Sequence, residues 1–249
     1  MKRLLFLNLG PYFNPTEIAA LEYYQWLSRE FEGDVFAVVH KKEYRSFTLG
    51  NFHLVGLYLP RWARGHTFMR DIAYVIYVFT RGLTRHLFRQ KYDVVICKEP
   101  LVTGVISVGF AKIGRLKSLV QLNGNYAASF VKNAQLPSLG ERMRHAYGSA
   151  VIPWVARHAD GIKLLYGKQQ EMLRFADHSQ VKHVFVFSNF VPIGRCSPGE
   201  EGKGYVLFCG YPWHLKGVDV LIRAFQLISP EFPEISLKVV GYCPDRTEF

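Results

Sequence analysis

The chain has 249 residues, 49% hydrophobic and 20% charged, the proportions of an ordinary globular protein, which exclude a disordered tail, a collagen-like repeat and a coiled coil. Lys and Arg number 31 against 20 Asp and Glu, and the formal net charge of +11 favours an anionic partner such as a nucleotide, a nucleic acid or the negative face of a membrane. The longest apolar run, Ile72 to Phe79, is fenced by Arg70, Asp71 and Arg81 and falls far short of the roughly 20 residues of a spanning helix.

Residues 3–9 predict a first strand. The apolar run there ends at Asn8 and Gly10, too early for the core of a signal peptide. A helix over 16–31 follows, with Asn14 as its N-cap, Pro15 in the first helical position and Glu17 in the first turn. Further strands are expected at 34–39, 53–59, 93–97, 118–122, 161–165, 182–188, 205–209 and 236–241, and helices at 66–90, 102–113, 139–158, 168–176 and 217–229. Several strands, such as Asp93-Val94-Val95-Ile96-Cys97 and Tyr205-Val206-Leu207-Phe208-Cys209, are continuously apolar, as parallel strands covered on both faces are. The alternation predicts an α/β fold with right-handed crossovers, built as two doubly wound, Rossmann-like domains with parallel sheets.

A stretch from Gly194 to Gly204, rich in Gly, Ser and charge, has the composition of a linker. It divides an N-terminal domain (1–195) from a linker (196–204) and a second domain that opens at Tyr205 and runs to 249. A β/α barrel would need eight similar units and fits such a break poorly. Residues 205–249 hold only strand, helix and strand, so the second domain is expected to be truncated, leaving Val218, Leu221, Ile222, Phe225 and Ile228 short of partner surface. Cys97, Cys196, Cys209 and Cys243 include no Cys-x-x-Cys pair and are expected as buried free thiols in a reducing compartment.

The nine histidines contain no His-x-x-x-His, so a zinc hydrolase site is unsupported and no metal is expected. There is no Gly-x-x-x-x-Gly-Lys-Ser/Thr loop, and no Gly-x-Gly-x-x-Gly follows the first strand, which argues against nicotinamide or flavin cofactors. The informative stretch is 205–241. A buried strand ends at Gly210, a polar loop carries Lys216, and Gly217-Val218-Asp219 opens an amphipathic helix. That arrangement sets a lysine and free helix-start N–H groups at the carboxyl edge of a sheet, where anions bind; the plain alternative is a βα turn with a solvated lysine. A second cluster, Arg61, Trp62, Arg64 and Phe68, feeds a helix ending Arg81, Arg85, His86, Arg89 and Lys91. Basic residues interleaved with aromatics suit a membrane interface, and the alternative is a core helix with a solvated basic end. The same interleaving suits nucleic acid, but no recognisable nucleic-acid module is present and no nucleic acid is expected as partner.

On these residues, 205–241 resembles the start of the C-terminal domain of retaining GT-B glycosyltransferases, glycosyltransferase family 4 (glycosyl transferases group 1). The family's pattern is a strand, Gly-Arg-Leu, three residues, Lys-Gly, a helix with Leu-Ile-x-Ala-Phe, and a strand ending in Val-Gly. Gly210, Lys216, Gly217, Leu221, Ile222, Ala224, Phe225 and Val239-Val240-Gly241 stand at matching positions, with Tyr211 where the family has Arg. The first βα unit is also similar, with Asn14-Pro15-Thr16-Glu17 in place of Gly-Gly. Asp93–Cys97 resembles the family's Asp-Val-Ile-His strand, and Leu119-Val120-Gln121-Leu122-Asn123-Gly124 resembles the strand ending in Thr-x-His-Gly, with Asn123 in the His position. Ala159-Asp160-Gly161-Ile162 and Val186-Phe187-Ser188-Asn189-Phe190-Val191 resemble two further segments.

The resemblance implies a GT-B-like fold and a hexosyltransferase-type enzyme. It would move a sugar with retention, without a metal or other cofactor, from a nucleotide-diphosphate sugar to a cell-surface polysaccharide or lipid-linked acceptor. Asn123 and Lys216 take the catalytic places; Gly210, Tyr211, Lys216 and Gly217 those of the donor phosphate; Asn14, Pro15, Thr16 and Gly124 those of the acceptor cleft. Tyr211 donates one hydrogen bond but carries no charge, which weakens the clamp. The family's carboxylate pair would fall beyond Phe249, so the chain alone is expected to be inactive or nearly so. The rival expectation is a non-catalytic basic relic of the scaffold, binding membrane or nucleic acid. The expected location is the cytoplasm, peripheral on the inner face of the cell membrane, with Arg61, Trp62, Arg64 and Phe68 against an anionic surface.

Overall fold

The computed structural model of the chain describes residues 1–9, 13–64, 66–89, 91–124, 139–169, 182–189, 204–210 and 216–241. The chain divides into two compact units, one of residues 1–127 and 143–193, the other of 128–142 and 194–249. Apart from Gly204, the linker expected at 196–204 lies outside the described residues.

The first unit is built on eight strands: β1 (Lys2–Asn8), β2 (Phe31–Val39), β3 (Ser46–Leu49), β4 (Phe52–Tyr58), β5 (Val94–Cys97), β6 (Lys117–Leu122), β7 (Gly161–Leu164) and β8 (Val184–Val186). They form one sheet in the order β3-β4-β2-β1-β5-β6-β7-β8, parallel except for β3. Strand order runs one way from β1 through β2 to β4 and the other way from β5 to β8. The carboxyl ends of β1 and β5 therefore flank the switch point of a doubly wound sheet, the place where such sheets hold ligands. This is the α/β architecture that the alternating pattern predicts.

Successive residues of β1 point to opposite faces, and both faces are covered. Leu5 and Leu7, with Phe36, Val38, Val95 and Val120, pack against Tyr74, Val78, Ile106, Phe110 and Val155. Those partners come from α3 (Thr67–Tyr77), a π turn (Val78–Gly82), α5 (Val102–Gly114) and α6 (Leu139–His158). Leu4 and Phe6, with Val35, Ala37 and Ile96, pack against Tyr24 and Leu27 of α1 (Ile18–Leu27). Each fully buried side chain of this size contributes about 1.5–3 kcal/mol, which explains why the strands are continuously apolar. Gly33 allows β2 to lie against β1 at all: with φ of +155°, a Cβ there would stand 1.8 Å from the Leu4 carbonyl oxygen.

Several local expectations are corrected. The first helix begins at Ile18, not residue 16, and Glu17 precedes it with no side-chain cap. Asn14 organises a turn ahead of the helix: its Oδ1 accepts from Thr16 N at 3.2 Å and from Thr16 Oγ1 at 2.8 Å. An Asx turn is the competing use of an Asn that could otherwise cap. The helix also ends early, where Ser28 Oγ donates to Tyr24 O and accepts from Asn51 N, each at 2.7 Å, and Phe31 starts β2. The sequence reading contains no β3–β4 hairpin. Its Gly50-Asn51 turn, with Gly50 at φ +61° between Leu49 and Phe52, is the two-residue signal of such a hairpin.

The basic helix end is solvated at Arg81, Arg89 and Lys91, which are exposed, but not at Arg85 and His86. In α4 (Leu83–Phe88), Arg85 donates to the buried Asp34 at 2.8 Å, and the buried His86 bonds Gly114 O at 3.0 Å and accepts from Tyr92 N at 3.1 Å. Burial pushes the Cys97 thiol up to about 12, an inert group. Cys209, expected inside, is exposed; Cys196 and Cys243 lie outside the described residues. Among the described residues no helix is long and apolar enough to cross a membrane.

The second unit holds β9 (Tyr205–Cys209), α7 (Val218–Ile228) and β10 (Ser236–Val240), a βαβ unit whose strands pair in parallel from Tyr205 with Ser236 to Cys209 with Val240. Of the helix face expected to lack partners, Val218 is buried, Leu221, Ile222 and Phe225 are half-buried and Ile228 is exposed.

Candidate functional site

Polar side chains gather at the carboxyl edge of the first unit's sheet. Gln121 pairs across β6 and β7 with Lys163, one step beyond the pairing of Val120 with Ile162. Asn123 follows β6 and is bonded at both ends of its amide. Its Nδ2 donates to Lys98 O at 3.0 Å, and its Oδ1 accepts from Lys163 Nζ at 3.2 Å. Lys163 Nζ also donates to Asn189 Oδ1 at 2.6 Å. Gln169, buried, donates to the carbonyls of Leu122 and Gly124, each at 2.9 Å, and accepts from Leu165 N at 2.8 Å, so it fixes the path of the chain at Gly124.

Lys98, just past β5, carries its ammonium 5.5 Å from the ring centre of Tyr23 on α1. Burial lowers its pKa, partly offset by Glu17, and burial also lowers that of Lys163. The adjacent Glu99 accepts from Leu101 N at 2.8 Å and from Thr103 N, the work of a cap on α5. Burial raises its pKa against those bonds.

The expected acceptor-side residues divide as follows. Asn14, half-buried, Pro15, buried, and Thr16, exposed, form the β1–α1 turn, and Asn123 and Gly124 end β6; both groups lie at the same carboxyl edge. Among the described residues, a Cβ at Gly124 would meet no atom within 4 Å. Lys98, Gln121, Lys163 and Asn189 were not singled out from the sequence. The available signal was the isolated polar residue in Gly161-Ile162-Lys163-Leu164 and in Leu119-Val120-Gln121-Leu122.

In the second unit, Gly210 N donates to Val240 O at 3.0 Å at the end of β9. A Cβ at Gly210 would lie 3.7 Å from Lys216 Cγ, so these two come together. Gly217 turns the chain into α7 with φ of +73°, a left-handed conformation that glycine adopts without cost, and its carbonyl accepts from Leu221 N at 3.0 Å. The first N–H groups of α7 have no partner within the helix, and Lys216 is exposed beside them. Tyr211 lies outside the described residues.

The expected membrane residues fall on α2 (Arg61–Arg64) and α3. Trp62 is 67% and Phe68 75% exposed, and Phe68, Ile72 and Ile76 stand four residues apart, all exposed, on one side of α3. The side chains of Arg61 and Arg64 lie outside those described. A groove of about 300 Å³ lined by Val94, Lys117, Leu119, Asp160 and Phe185 lies at the amino ends of β5–β8, the opposite edge from the polar cluster.

No protein-family model and no curated protein sequence matches the chain. Solved structures do. The chain aligns over 97% of its length with 70% of UGT89C1 of Arabidopsis thaliana complexed with quercetin, at a TM-score of 0.53 and 13% identity. It aligns over 98% of its length with 72% of UGT71G1 of Medicago truncatula complexed with UDP-glucose, at 0.50 and 10% identity. With Alr3699/HepE of Anabaena in complex with UDP and glucose the values are 97% of this chain, 61% of the other, 0.56 and 15% identity. These neighbours are GT-B glycosyltransferases. The fold is GT-B. The GT-B frame accounts for the position of the polar cluster: in doubly wound sheets, ligands meet the protein at the strands' carboxyl ends.

Proposed function

We propose that the protein is a glycosyltransferase of the family 4 kind, a hexosyltransferase-type enzyme that moves a sugar with retention, and without a metal ion, from a nucleotide-diphosphate sugar to a lipid-linked or polysaccharide acceptor. The observation that carries this reading is the junction of β9 and α7, where Gly210 and Lys216 come together at a strand's carboxyl end and Gly217 opens the helix. A lysine at a helix start at the carboxyl end of a strand is electropositive, as an anion site needs to be. As the glycosidic bond to the donor breaks, negative charge grows on the departing diphosphate. Lys216 and the α7 N-terminus neutralise it, an electrostatic role that involves no proton transfer. Gly210 leaves room for the phosphates to approach the backbone, and Tyr211 adds one neutral donor. Residues 1–195 bind the acceptor, with Asn123, Gly124 and the Asn14-Pro15-Thr16 turn as the residues that meet it. The fold-sharing structures complexed with UDP-glucose or with UDP and glucose support this choice of donor.

The exposed Trp62, Phe68, Ile72 and Ile76, with Arg61 and Arg64 and the +11 charge, support contact with the anionic inner face of the cell membrane, where a lipid-linked acceptor would sit. Each basic residue near such a surface contributes about 1 kcal/mol. The donor reading is tested by titrating the ¹⁵N-labelled chain with UDP. Shifts are expected at Gly210, Lys216 and Gly217 and are lost in Lys216→Ala. Unchanged shifts in that variant, or none in the second unit at millimolar UDP, overturn it.

A further inference from the structure

We infer that the first unit carries an anion subsite of its own at the carboxyl edge of β5, β6 and β7, built from Lys98, Asn123, Lys163 and Asn189, and that it takes a phosphate group of the acceptor. On the α1 face of the sheet, the layer below this edge is apolar: Phe6, Ile96 and Leu119 pack there. The last layer turns polar, with Lys98, Gln121 and Lys163. A polar layer capping an apolar one at the open end of a sheet is what a binding site requires.

Lys163 is the telling residue. It is 1% exposed, yet its ammonium meets two amide oxygens, Asn123 Oδ1 and Asn189 Oδ1, and the face of Phe187 at 5.1 Å. Among the described residues no carboxylate pairs with it. Elsewhere in this unit the buried Asp34 is matched by Arg85, and the half-buried Asp160 by Lys117 and Lys182. A buried ammonium without a counter-charge is unfavourable, and amide dipoles offset only a part of that. Those two oxygens take two of its three protons.

Asn123 links this cation to the second one. It holds Lys163 with its oxygen and the Lys98 backbone with its nitrogen, and no atom of the described residues stands within 4 Å of a Cβ built at the adjoining Gly124. Lys98 makes no ion pair among the described residues; Glu17 is the acidic side chain that influences it. Burial lowers the pKa of both lysines, and a bound anion would raise it again. Two ammonium groups match a phosphate dianion better than a carboxylate. The assignment to the acceptor rests on the glycosyl-transfer reading; the anion subsite itself does not.

The experiment uses the 249-residue chain carrying Lys216→Ala, which removes the donor-side lysine, titrated with inorganic phosphate and followed at the side-chain amides of Asn123 and Asn189. Saturable shifts are expected. Lys163→Met and Lys98→Met each weaken binding about tenfold or more, equivalent to about 1.4 kcal/mol, Lys163→Arg retains most of it, and acetate binds more weakly than phosphate. Phosphate affinity unchanged from the parent in both Met variants, or no saturable shift in the parent, overturns the subsite. Lys98 is only half-buried, so its variant reports even if Lys163→Met fails to fold. Titration of the unsubstituted 249-residue chain with UDP and, separately, with phosphate separates the two readings. Phosphate binding with no UDP binding anywhere refutes glycosyl transfer and leaves the subsite standing; UDP shifts at Lys216 without phosphate binding refute the subsite alone.

Discussion

Removing Arg85 should destabilise the first unit far more than loss of a surface arginine does. Asp34 is buried, its side chain 1% exposed, and its Oδ1 accepts from Arg85 Nη1 at 2.8 Å, where the arginine is 24% exposed. Its other oxygen accepts from the hydroxyl of Tyr92. Burial, then the charge of Asp34, drive the Tyr92 pKa far above its ordinary value, so this phenol stays a donor throughout the accessible pH range. Arg85→Leu leaves the carboxylate in the core with one neutral donor. Breaking a buried pair in this way costs about 3–5 kcal/mol, and the partial exposure of Arg85 points to the lower end, about 3 kcal/mol. For a unit of this size that lowers Tm by about 6–12 °C. Asp34→Asn keeps the bond to Tyr92 and should cost less, and the double variant should resemble Asp34→Asn, with a coupling of about 2 kcal/mol in the cycle. Urea unfolding followed by circular dichroism measures all four proteins. A cost below about 1 kcal/mol for Arg85→Leu, or simple additivity, would refute the reasoning.

Asp160 offers a test by pH. Burial raises its pKa, but the Ser118 N–H and the Lys182 and Lys117 ammonium groups outweigh it, holding the carboxyl below its ordinary value. Its stabilisation is therefore present above the unfolded value of about 3.9 and lost as pH falls through the folded one. Urea midpoints of the parent and Asp160→Asn should differ at pH 7 and converge below about pH 4. Arg115 closes α5 with φ of +56°, where Leu116 N bonds Ala111 O at 2.9 Å; Arg115→Gly should stabilise by about 0.5–1 kcal/mol, visible as a higher Tm. Gly33→Ala would force a Cβ onto the Leu4 carbonyl and should cost about 3 kcal/mol or more, or prevent soluble expression. Trp62→Ala/Phe68→Ala should abolish sedimentation with anionic liposomes at low salt, and binding that survives this change, or is equal on neutral liposomes, counts against the membrane contact.

Strands such as Val94-Val95-Ile96-Cys97 were legible because both faces of the sheet are covered there, whereas Tyr205–Cys209, read as buried from the same kind of apolar run, is exposed along most of its length. The end of β9, Lys216 and the start of α7 were legible for a related reason, since a glycine before a helix and a lysine beside it act through their immediate neighbours. The β3–β4 hairpin carried its Gly50-Asn51 signal and was missed because Ser46–Leu49 is short and weakly apolar. Asn14 could serve equally as a cap or an Asx turn, and only the path of the chain between β1 and α1 decided which.

The sequence by itself determined the α/β class, the order of the elements and the composition of the two helix-covered faces, because hydrophobic periodicity and turn chemistry are local. Only the tertiary structure decided which charges are paired. Arg85 reads as part of a basic stripe until the fold sets it 51 positions away on Asp34. Lys163 reads as one polar residue in an apolar strand until register brings it to Asn123, 40 positions away, and Asn189, 26 positions away. The free energy of a buried charge depends on what stands within a few ångströms of it, and strand register, not sequence neighbourhood, sets those distances.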